Sequence, residues 1–347
     1  MQARRRMRAA MVVALGAATV LPALAASAGS ASASSLGPDP ALSGTPNPSW
    51  WGTNGRVMDI LPVGNRVYLA GGFDYVGPAT GYGVGVDAAA GIKLPGAPVI
   101  DGIVRAAVAD GQGGWFIGGD FKYVGGQFRR YAAQVTAAGA ITAWNPKPDQ
   151  PVEALAFDGA TVFLGGAFST VRDAPAPRLA AVAPTGAANL VPGFQPAPDG
   201  RVTSLLVSGG ALFAGGEFGT IGGAPHARVA RLDRATGAAP AGFTAGTDQP
   251  VRALAASPDG AAIYAGGDFG QAGGAGRARL AAFDATTGAL LPWAPSADGV
   301  VRALAVDPAS GVVAVGGQFR SVSGAARGRL ALVDGTGTVL PLSLIHI

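Results

Sequence analysis

The chain has 347 residues, a formal net charge of +4 and no cysteine. Without cysteine it offers no thiol nucleophile, no thiolate metal site and no disulfide framework. Four of the positive charges belong to an arginine-rich N-terminus (Arg4, Arg5, Arg6 and Arg8), so the rest of the chain is close to neutral (4 − 4 = 0). It therefore has no basic patch suited to a nucleic acid.

The N-terminal segment predicts a secretory signal peptide. The arginines precede an apolar run over Met11–Leu24, and small residues of the Ala-x-Ala type follow it. The run is shorter than the ~20 residues of a membrane-spanning helix, and Pro22 interrupts it. We expect residues 1–33 to be a signal peptide and residues 34–46 a flexible linker. The mature protein is then secreted or exposed at the cell surface, without a membrane span.

Residues 47–341 contain six copies of a glycine-phenylalanine signature. The first glycines are 47, 47, 50, 51 and 50 residues apart: Gly71, Gly118, Gly165, Gly215, Gly266 and Gly316. Such a period, with strand-like content, is typical of β-propellers. The last copy predicts four strands: Val301–Val306, Val312–Phe319, Arg329–Val333 and one beginning at Thr338, with a loop at 320–327. We predict an all-β fold, a β-propeller of about six four-stranded blades, with a seventh left open for a longer chain.

Strand direction sorts the connections onto two faces. The loops after Gly-Gly-x-Phe and the connections between blades share one face, here the loop face; the tight Asp-x-x-Thr-Gly turns lie on the other, the turn face. Two sets of residues recur on the loop face. One precedes each first strand and comprises Asn54, Asp101, Asp149, Asp199, Asp248 and Asp298. The other is assigned to the start of each third strand and comprises Arg130, Arg178, Arg228, Arg279 and Arg329.

These two sets allow two interpretations. The carboxylates could form a ligand or cation ring at the mouth of a channel, or they could accept hydrogen bonds in Asx turns and pair with the arginines. A feature copied into nearly every blade is more typical of a scaffold, and structural ion pairs imitate functional sites. We favour the structural interpretation, and assign no metal site and no cofactor.

Aromatic residues break the repetition on the loop face. Tyr75, Tyr82, Tyr123 and Tyr131 lie in or beside the post-glycine loops of the first two repeats, with Phe128 nearby, whereas later repeats carry small residues there. Clustered aromatic rings stack on sugars or anchor protein partners. The alternative is that they pack these loops onto the blades. The ligand-binding interpretation makes these five residues the candidate site.

Catalytic residues are scarce in the sequence. His226 is the only histidine outside residues 342–347, and Glu153 and Glu217 are the only glutamates. A glycosidase needs two carboxylates that flank one bond, which the aspartates could supply, but no calcium loop or nucleophile elbow is present. We assign no catalytic residue and expect a non-enzymatic protein.

The repeat resembles a known family. Its pattern Gly-Gly-x-Phe-x-x-Val-Gly-Gly, followed by Arg-Leu-Ala, Asp-x-x-Thr-Gly and Trp-x-Pro, is similar to the delta-60 repeat group of bacterial exported propellers over about Val57–Leu340, and more loosely to kelch propellers. The resemblance implies the architecture and export, and no reaction. The copper-radical oxidases among kelch-like proteins use a cysteine and several histidines that this chain lacks. The abundance of arginine over lysine, 22 to 3, also suits a bacterial source.

We therefore expect a secreted or surface-exposed, non-catalytic β-propeller, monomeric, that binds an extracellular glycan or protein partner. One alternative is a polysaccharide-active hydrolase or lyase that uses propeller-face aspartates. Another is a structural spacer for further domains, since residues 342–347 read as the translation of a transposon mosaic end used in sequencing libraries. If so, the natural C-terminus is missing.

Overall fold

The computed structural model describes residues 96–341 in full and the backbone of four strands between Trp51 and Pro78. The predicted signal peptide, linker and C-terminal tail lie outside the described residues, as do Asn54, Tyr75 and Tyr82. What we expect of them stays a prediction.

All regular structure in the described part of the chain is β-structure. No helix there is long and apolar enough to cross a membrane. The chain divides into two compact units, Met1–Thr80 and Gly81–Ile347. In the first unit, β1 (Trp51–Thr53) and β4 (Val76–Pro78) form one antiparallel pair. A second pair joins β2 (Val57–Val63) and β3 (Arg66–Gly71).

The second unit holds the second to sixth repeats, each with the same five strands. The second repeat contains β5 (Ile103–Ala109), β6 (Trp115–Asp120), β7 (Tyr123–Val124), β8 (Gln127–Phe128) and β9 (Ala132–Val135). The third contains β10 (Val152–Phe157), β11 (Val162–Gly166), β12 (Thr170–Val171), β13 (Ala174–Pro175) and β14 (Leu179–Val182). The fourth contains β15 (Val202–Ser208), β16 (Ala211–Gly216), β17 (Thr220–Ile221), β18 (Ala224–Pro225) and β19 (Val229–Leu232).

The last two repeats follow the same order. The fifth contains β20 (Val251–Ala256), β21 (Ala262–Gly267), β22 (Gln271–Ala272), β23 (Ala275–Gly276) and β24 (Leu280–Asp284). The sixth contains β25 (Val301–Val306), β26 (Val313–Gly317), β27 (Ser321–Val322), β28 (Ala325–Ala326) and β29 (Leu330–Val333). In each repeat the first, second and last strands form a three-stranded antiparallel sheet, and the two short strands form a separate hairpin. The predicted all-β fold of repeated antiparallel sheets is confirmed, with three strands rather than four in each main sheet.

The doubled glycine of the signature has a steric role at each of its two positions. A Cβ on Gly215 would lie 2.8 Å from Cγ1 of Val251, which belongs to the first strand of the next repeat. A Cβ on Gly267 would overlap the carbonyl oxygen of Pro250 in its own repeat. The first glycine therefore admits the neighbouring blade, and the second lets the first and second strands approach closely.

The phenylalanine of the signature is fully buried in each fully described repeat. In the third to sixth repeats it belongs to cores that lie between adjacent sheets. One core, for example, joins Ala154 and Phe163 of the third repeat to Val202 and Phe218 of the fourth. First strands of consecutive repeats contact one another along this boundary. Burial of apolar side chains between blades, at ~25 cal/mol per Å², is the main force that holds the repeats together.

Two local features differ from the sequence-based expectation. The fourth strand is reduced to one β-bridge in four of the five fully described repeats, as in Val333↔Val339. Prolines are frequent in this outer segment, and proline has no N–H with which to extend a ladder. The loop predicted at 320–327 in turn contains the short hairpin β27–β28. Two-residue strands carry too little alternation to be seen in a sequence.

Candidate functional site

The described aspartates of the recurrent set all make the same contacts. In the fifth repeat, Oδ1 of Asp248 accepts hydrogen bonds from the backbone N–H groups of Gly270 (2.9 Å) and Gln271 (2.8 Å). The N–H of Asp248 donates to the Gln271 carbonyl at 3.2 Å. Equivalent carboxylate contacts are made by Asp101, Asp149, Asp199 and Asp298. Each aspartate thus joins the connection between blades to the short hairpin of the following repeat.

These contacts are not the Asx turns of our structural interpretation, because the partners lie 20 to 23 residues along the chain. Hydrogen bonds from the backbone N–H groups of Thr220, Gln271 and Ser321 lower the pKa of Asp199, Asp248 and Asp298, respectively. Among the described residues, no group of three or more His, Asp or Glu side chains is placed to hold a metal ion.

Three of the recurrent arginines bind backbone rather than these aspartates. The guanidinium groups of Arg178, Arg228 and Arg279 donate to the carbonyls of Pro198 (2.9 Å), Thr247 (2.8 Å) and Ala297 (3.3 Å). Each of these carbonyls directly precedes the next aspartate of the set. The arginines therefore fasten one blade to the connection that leads into the next.

The assignment of Arg130 to this set is wrong by one residue. Tyr131 occupies the equivalent position: it has a positive φ of 64°, like 69° at Arg228. Its N–H donates to the Phe121 carbonyl at 2.9 Å, as that of Arg228 does to Phe218 at 3.0 Å. Arg130 still reaches the next connection, because its guanidinium donates to the Asp149 carbonyl at 2.6 Å.

Tyr131 itself is half-buried and packs against the core of the second and third repeats. The guanidinium carbon of Arg130 lies 5.2 Å from the centre of its ring. Tyr131 is one of the five predicted ligand-binding residues, and in this structure it packs against the core, as the packing alternative expects. Tyr75 and Tyr82 lie outside the described residues.

Tyr123 and Phe128 form an exposed aromatic pair. They face each other across β7 and β8, and their rings meet edge to face, with centres 5.5 Å apart and planes at 73°. Tyr123 is 47% exposed and Phe128 50%. We call this pair and its turn, residues 123–128, the aromatic hairpin. The matching cross-strand pairs elsewhere are Thr170/Pro175, Thr220/Pro225, Gln271/Gly276 and Ser321/Ala326.

Further exposed apolar surface lies in the same repeat. The carbonyl of Val99 accepts a hydrogen bond from the N–H of Gly125 at 2.8 Å, which places Val99 beside the aromatic hairpin. Val99 is 44% exposed, and Ile103, at the start of β5, is 48% exposed. The exposed large apolar side chains of the described residues all belong to this second repeat.

A chain of ion pairs crosses the third to fifth repeats, and our sequence analysis missed it. Arg201 binds Glu153 (3.4 Å) and approaches Glu217 (3.9 Å), while Arg252 binds Glu217 (3.2 Å) and Asp268 (2.6 Å). Burial raises the pKa of Glu153, while the charge of Arg201 acts in the opposite direction. Each carboxylate in this chain of ion pairs has an arginine partner, so none of these negative charges between the blades is left unpaired.

Two members of the ion-pair chain lie at a backbone irregularity, whereas Arg201 precedes the first strand of its repeat. The first strand of each described repeat carries a β-bulge near its start, as between Val251 and Ala253. The bulged residue re-aims its side chain, and Glu153 and Arg252 occupy this position in the third and fifth repeats. Glu217 and Asp268 are the variable residues of Gly-Gly-x-Phe. In an alignment of the repeats, opposite charges occur at the bulge position and at the variable position of the signature. That is the signal in the sequence from which ion pairs could have been predicted.

His226 occupies another scaffold position. It is buried, burial lowers its pKa, and its ring lies 6.4 Å from that of Phe243. At the same place in other repeats, arginine side chains donate to carbonyls of the outer segment: Arg129 to Thr142, Arg277 to Leu291 and Arg327 to Leu340. The position of His226 thus connects the hairpin region to the outer segment.

Comparisons with known proteins add little. No protein-family profile matches the chain, and no curated protein matches it. Two similar solved structures are computationally designed proteins. Ika8 is 18% identical over 77% of this chain and 82% of its own, with a TM-score of 0.47. Ika4 is 22% identical over 51% of this chain and 91% of its own, with a TM-score of 0.35. Both TM-scores are below 0.5, so we base nothing on these likenesses.

Proposed function

We propose that this protein is a secreted bacterial β-propeller of the delta-60 repeat type, and that it binds an extracellular partner without catalysis through the aromatic hairpin. The leader-like N-terminus supports export, and the repeat pattern supports the family. The observation that carries the binding function is the exposed pair of rings, Tyr123 and Phe128, on an otherwise regular scaffold.

Energetics favour a role for these rings in recognition. Folding leaves about half of the surface of these two large rings in contact with water. A partner that covers this apolar surface would stabilise the complex by ~25 cal/mol per Å² removed from water. Aromatic side chains are enriched among residues that dominate binding energy. The matching positions in the other described repeats carry Thr, Gln, Ser, Pro, Gly or Ala, so the fold itself does not require aromatic rings there.

The shape of the pair favours a protein partner. A sugar ring stacks on the flat face of one aromatic ring, whereas an edge-to-face pair with the neighbouring Val99 presents a small apolar knob. A protein with an apolar recess can enclose such a knob. Because the mature chain is close to neutral, we expect the affinity to depend only weakly on salt.

The carboxylates give less support to the hydrolase alternative. The aspartates that precede the first strands use Oδ1 to accept backbone hydrogen bonds. Glu153 and Glu217 are both paired with Arg201. A glycosidase instead needs one carboxylic acid and one free carboxylate on either side of a scissile bond.

The test starts with partner identification and ends with a double variant. Tagged full-length protein is screened against purified secreted and surface proteins of the source bacterium and against a glycan array, and the binding constant of each hit is measured by calorimetry. Tyr123→Thr with Phe128→Ala should weaken binding of the partner at least about tenfold, since each ring contributes ~1 kcal/mol. Gln271→Ala, at the matching position of the fifth repeat, should leave it unchanged.

Two results would count against the proposal. One is a folded double variant that binds its partner as tightly as the native protein. The other is a set of hits that are all glycans and that lose affinity in the double variant, which would replace the protein partner by a carbohydrate at the aromatic hairpin.

A further inference from the structure

A cleft of about 660 Å³ lies between the second and third repeats, on the turn face. It is at the opposite end of β6 from the aromatic hairpin. Asp110, from the turn between β5 and β6, lines one side, and Gln134 and Thr142 line the outer part. Phe157, from the end of β10, supplies aromatic surface, and the buried Trp144 lies in the wall of the cleft. The volume lies within the roughly 300–1,000 Å³ of small-molecule sites.

Three of these residues depart from the repeat pattern. Gln134 pairs with Phe116 across the sheet, and the residues in the same register elsewhere are Ala181, Arg231, Ala282 and Leu332. Phe157 corresponds to Ala109, Val207, Ala256 and Val306. Thr142 corresponds to Val191, Leu291 and Leu340, which form the same backbone hydrogen bond. Three independent departures in sequence thus converge on one cleft.

The two polar residues that depart from the repeat, Gln134 and Thr142, form a hydrogen-bond network with Asp110. Oδ1 of Asp110 accepts from the N–H groups of Gln112 (2.8 Å) and Gly114 (2.9 Å), which fixes the carboxylate. Its Oδ2 accepts from Nε2 of Gln134 at 3.1 Å. Oε1 of Gln134 accepts from the hydroxyl of Thr142 at 3.0 Å. The Gln134 amide nitrogen has a second N–H that can donate one further hydrogen bond. Oδ2 of Asp110 and Oε1 of Gln134 can each accept another.

The aromatic surface is supported from behind. The ring of Phe157 is half-buried and lies 5.3 Å from that of Phe116, which lies 4.9 Å from the ring of Trp144. The indole N–H of Trp144 donates to the Ala183 carbonyl at 2.9 Å. Phe157 is therefore held in place while it still lines the cleft.

We propose that this cleft binds a neutral saccharide. An oriented carboxylate and amide match neighbouring hydroxyl groups, which both donate and accept, while the C–H face of a sugar packs on an aromatic ring. Of the described residues that line the cleft, Asp110 alone is charged, so an anionic ligand would meet repulsion without a compensating cation. The proposal does not depend on the protein partner of the aromatic hairpin.

The chain contains its own reference site. A related cleft of about 410 Å³ lies between the fifth and sixth repeats and is lined by Tyr264 and Trp293. There Ala282 and Leu291 stand where the first cleft has Gln134 and Thr142. This second cleft has Tyr264 and Trp293 as counterparts of Phe116 and Trp144. Val306, however, stands in the register of Phe157, and the Gln134 amide and Thr142 hydroxyl are also missing. We therefore expect it to bind no saccharide.

The experiment uses the full-length protein and four neutral tetrasaccharides: cellotetraose, xylotetraose, mannotetraose and N-acetylchitotetraose, with tetragalacturonate as the anionic comparison. Saturation-transfer NMR and calorimetry at millimolar concentrations report binding. We expect at least one neutral sugar to bind and tetragalacturonate not to bind. Gln134→Ala and Phe157→Val, which introduce residues that other repeats already carry, should each weaken binding about tenfold, since a hydrogen bond or ring contact is worth ~1 kcal/mol.

Tyr264→Phe in the second cleft is the matched control and should leave saccharide binding unchanged. The Tyr123→Thr/Phe128→Ala variant should also bind the sugar normally, which separates this site from the aromatic hairpin. Absence of binding by all four neutral sugars would overturn the proposal. So would folded Gln134→Ala and Phe157→Val variants that bind as the native protein does.

Discussion

The second and fifth repeats use the same scaffold but differ in what they add to it. Asp101 and Asp248 each bind two backbone N–H groups of the following hairpin. Trp144 and Trp293 each donate the indole N–H to a carbonyl of the next repeat, both at 2.9 Å. The second repeat alone then adds the aromatic hairpin and Gln134. Recurrence thus identifies the framework of this fold, and departure from recurrence identifies the candidates for function.

We expect the largest effect at the second glycine of the signature, where substitutions test whether the second and fifth repeats share one framework. A Cβ on Gly267 would overlap the Pro250 carbonyl oxygen, and one on Gly119 would overlap that of Ile103. Gly267→Ala and Gly119→Ala should each lower the free energy of unfolding by about 3 kcal/mol, because backbone must move to admit the methyl group. Chemical denaturation of both variants measures the loss.

Gly276→Ala is the control for these two changes. Nothing lies within 4 Å of its Cβ position, so stability should change by less than about 0.5 kcal/mol. A tolerated alanine at Gly267 alone, or at Gly119 alone, would show that the two repeats do not share this framework.

Much of this framework is predictable from the sequence. The glycine period and the β-branched runs predict the fold and the first three main strands of each repeat. The sixth repeat shows this well: the predicted first strand, Val301–Val306, has the bounds found in the structure. Local composition and a fixed period are enough for such elements.

Other features depend on contacts that a local pattern does not contain. The Asp248 carboxylate finds its partners 22 and 23 residues away. Arg228 adopts a positive φ of 69°, which is unusual for a residue with a side chain and is imposed by surrounding hydrogen bonds. The cleft residues Gln134 and Phe157 lie on different repeats. Only a column-by-column comparison of the repeats could have singled them out.

A middle-sized effect is expected at the recurrent aspartates. Asp248→Ala removes two hydrogen bonds to backbone N–H groups that water can replace, so we expect a loss of about 1 kcal/mol near neutral pH. Asp101→Ala should cost a similar amount, since it makes the same two contacts. Denaturant titration of both variants tests this equivalence. A loss confined to one of the two repeats would contradict a shared structural role.

The effect at Asp248 should depend on pH. Hydrogen bonds, chiefly from the Gln271 N–H, lower the pKa of this carboxyl in the folded protein. The stabilisation is therefore present above the unfolded pKa of about 4 and is lost as the pH falls through the lower folded value. The difference between native protein and Asp248→Ala should shrink below pH ~4. A difference that grows in acid would show that the carboxylate is not the stabilising form.

The smallest change in stability is expected where the second repeat differs most from the fifth. Tyr123→Thr with Phe128→Ala replaces an exposed cross-strand pair by residue types that other repeats carry at these positions. Such pairs contribute roughly 0.2–1 kcal/mol, so the free energy of unfolding should fall by less than about 1 kcal/mol. Gln271→Ala in the fifth repeat should change it even less. Thermal and urea unfolding give both values.

A loss of more than 2 kcal/mol in the double variant would mean that the rings pack the loop onto the blade, since exposed pairs do not reach that value. The aromatic hairpin would then belong to the framework, and its departure from the repeat would be structural.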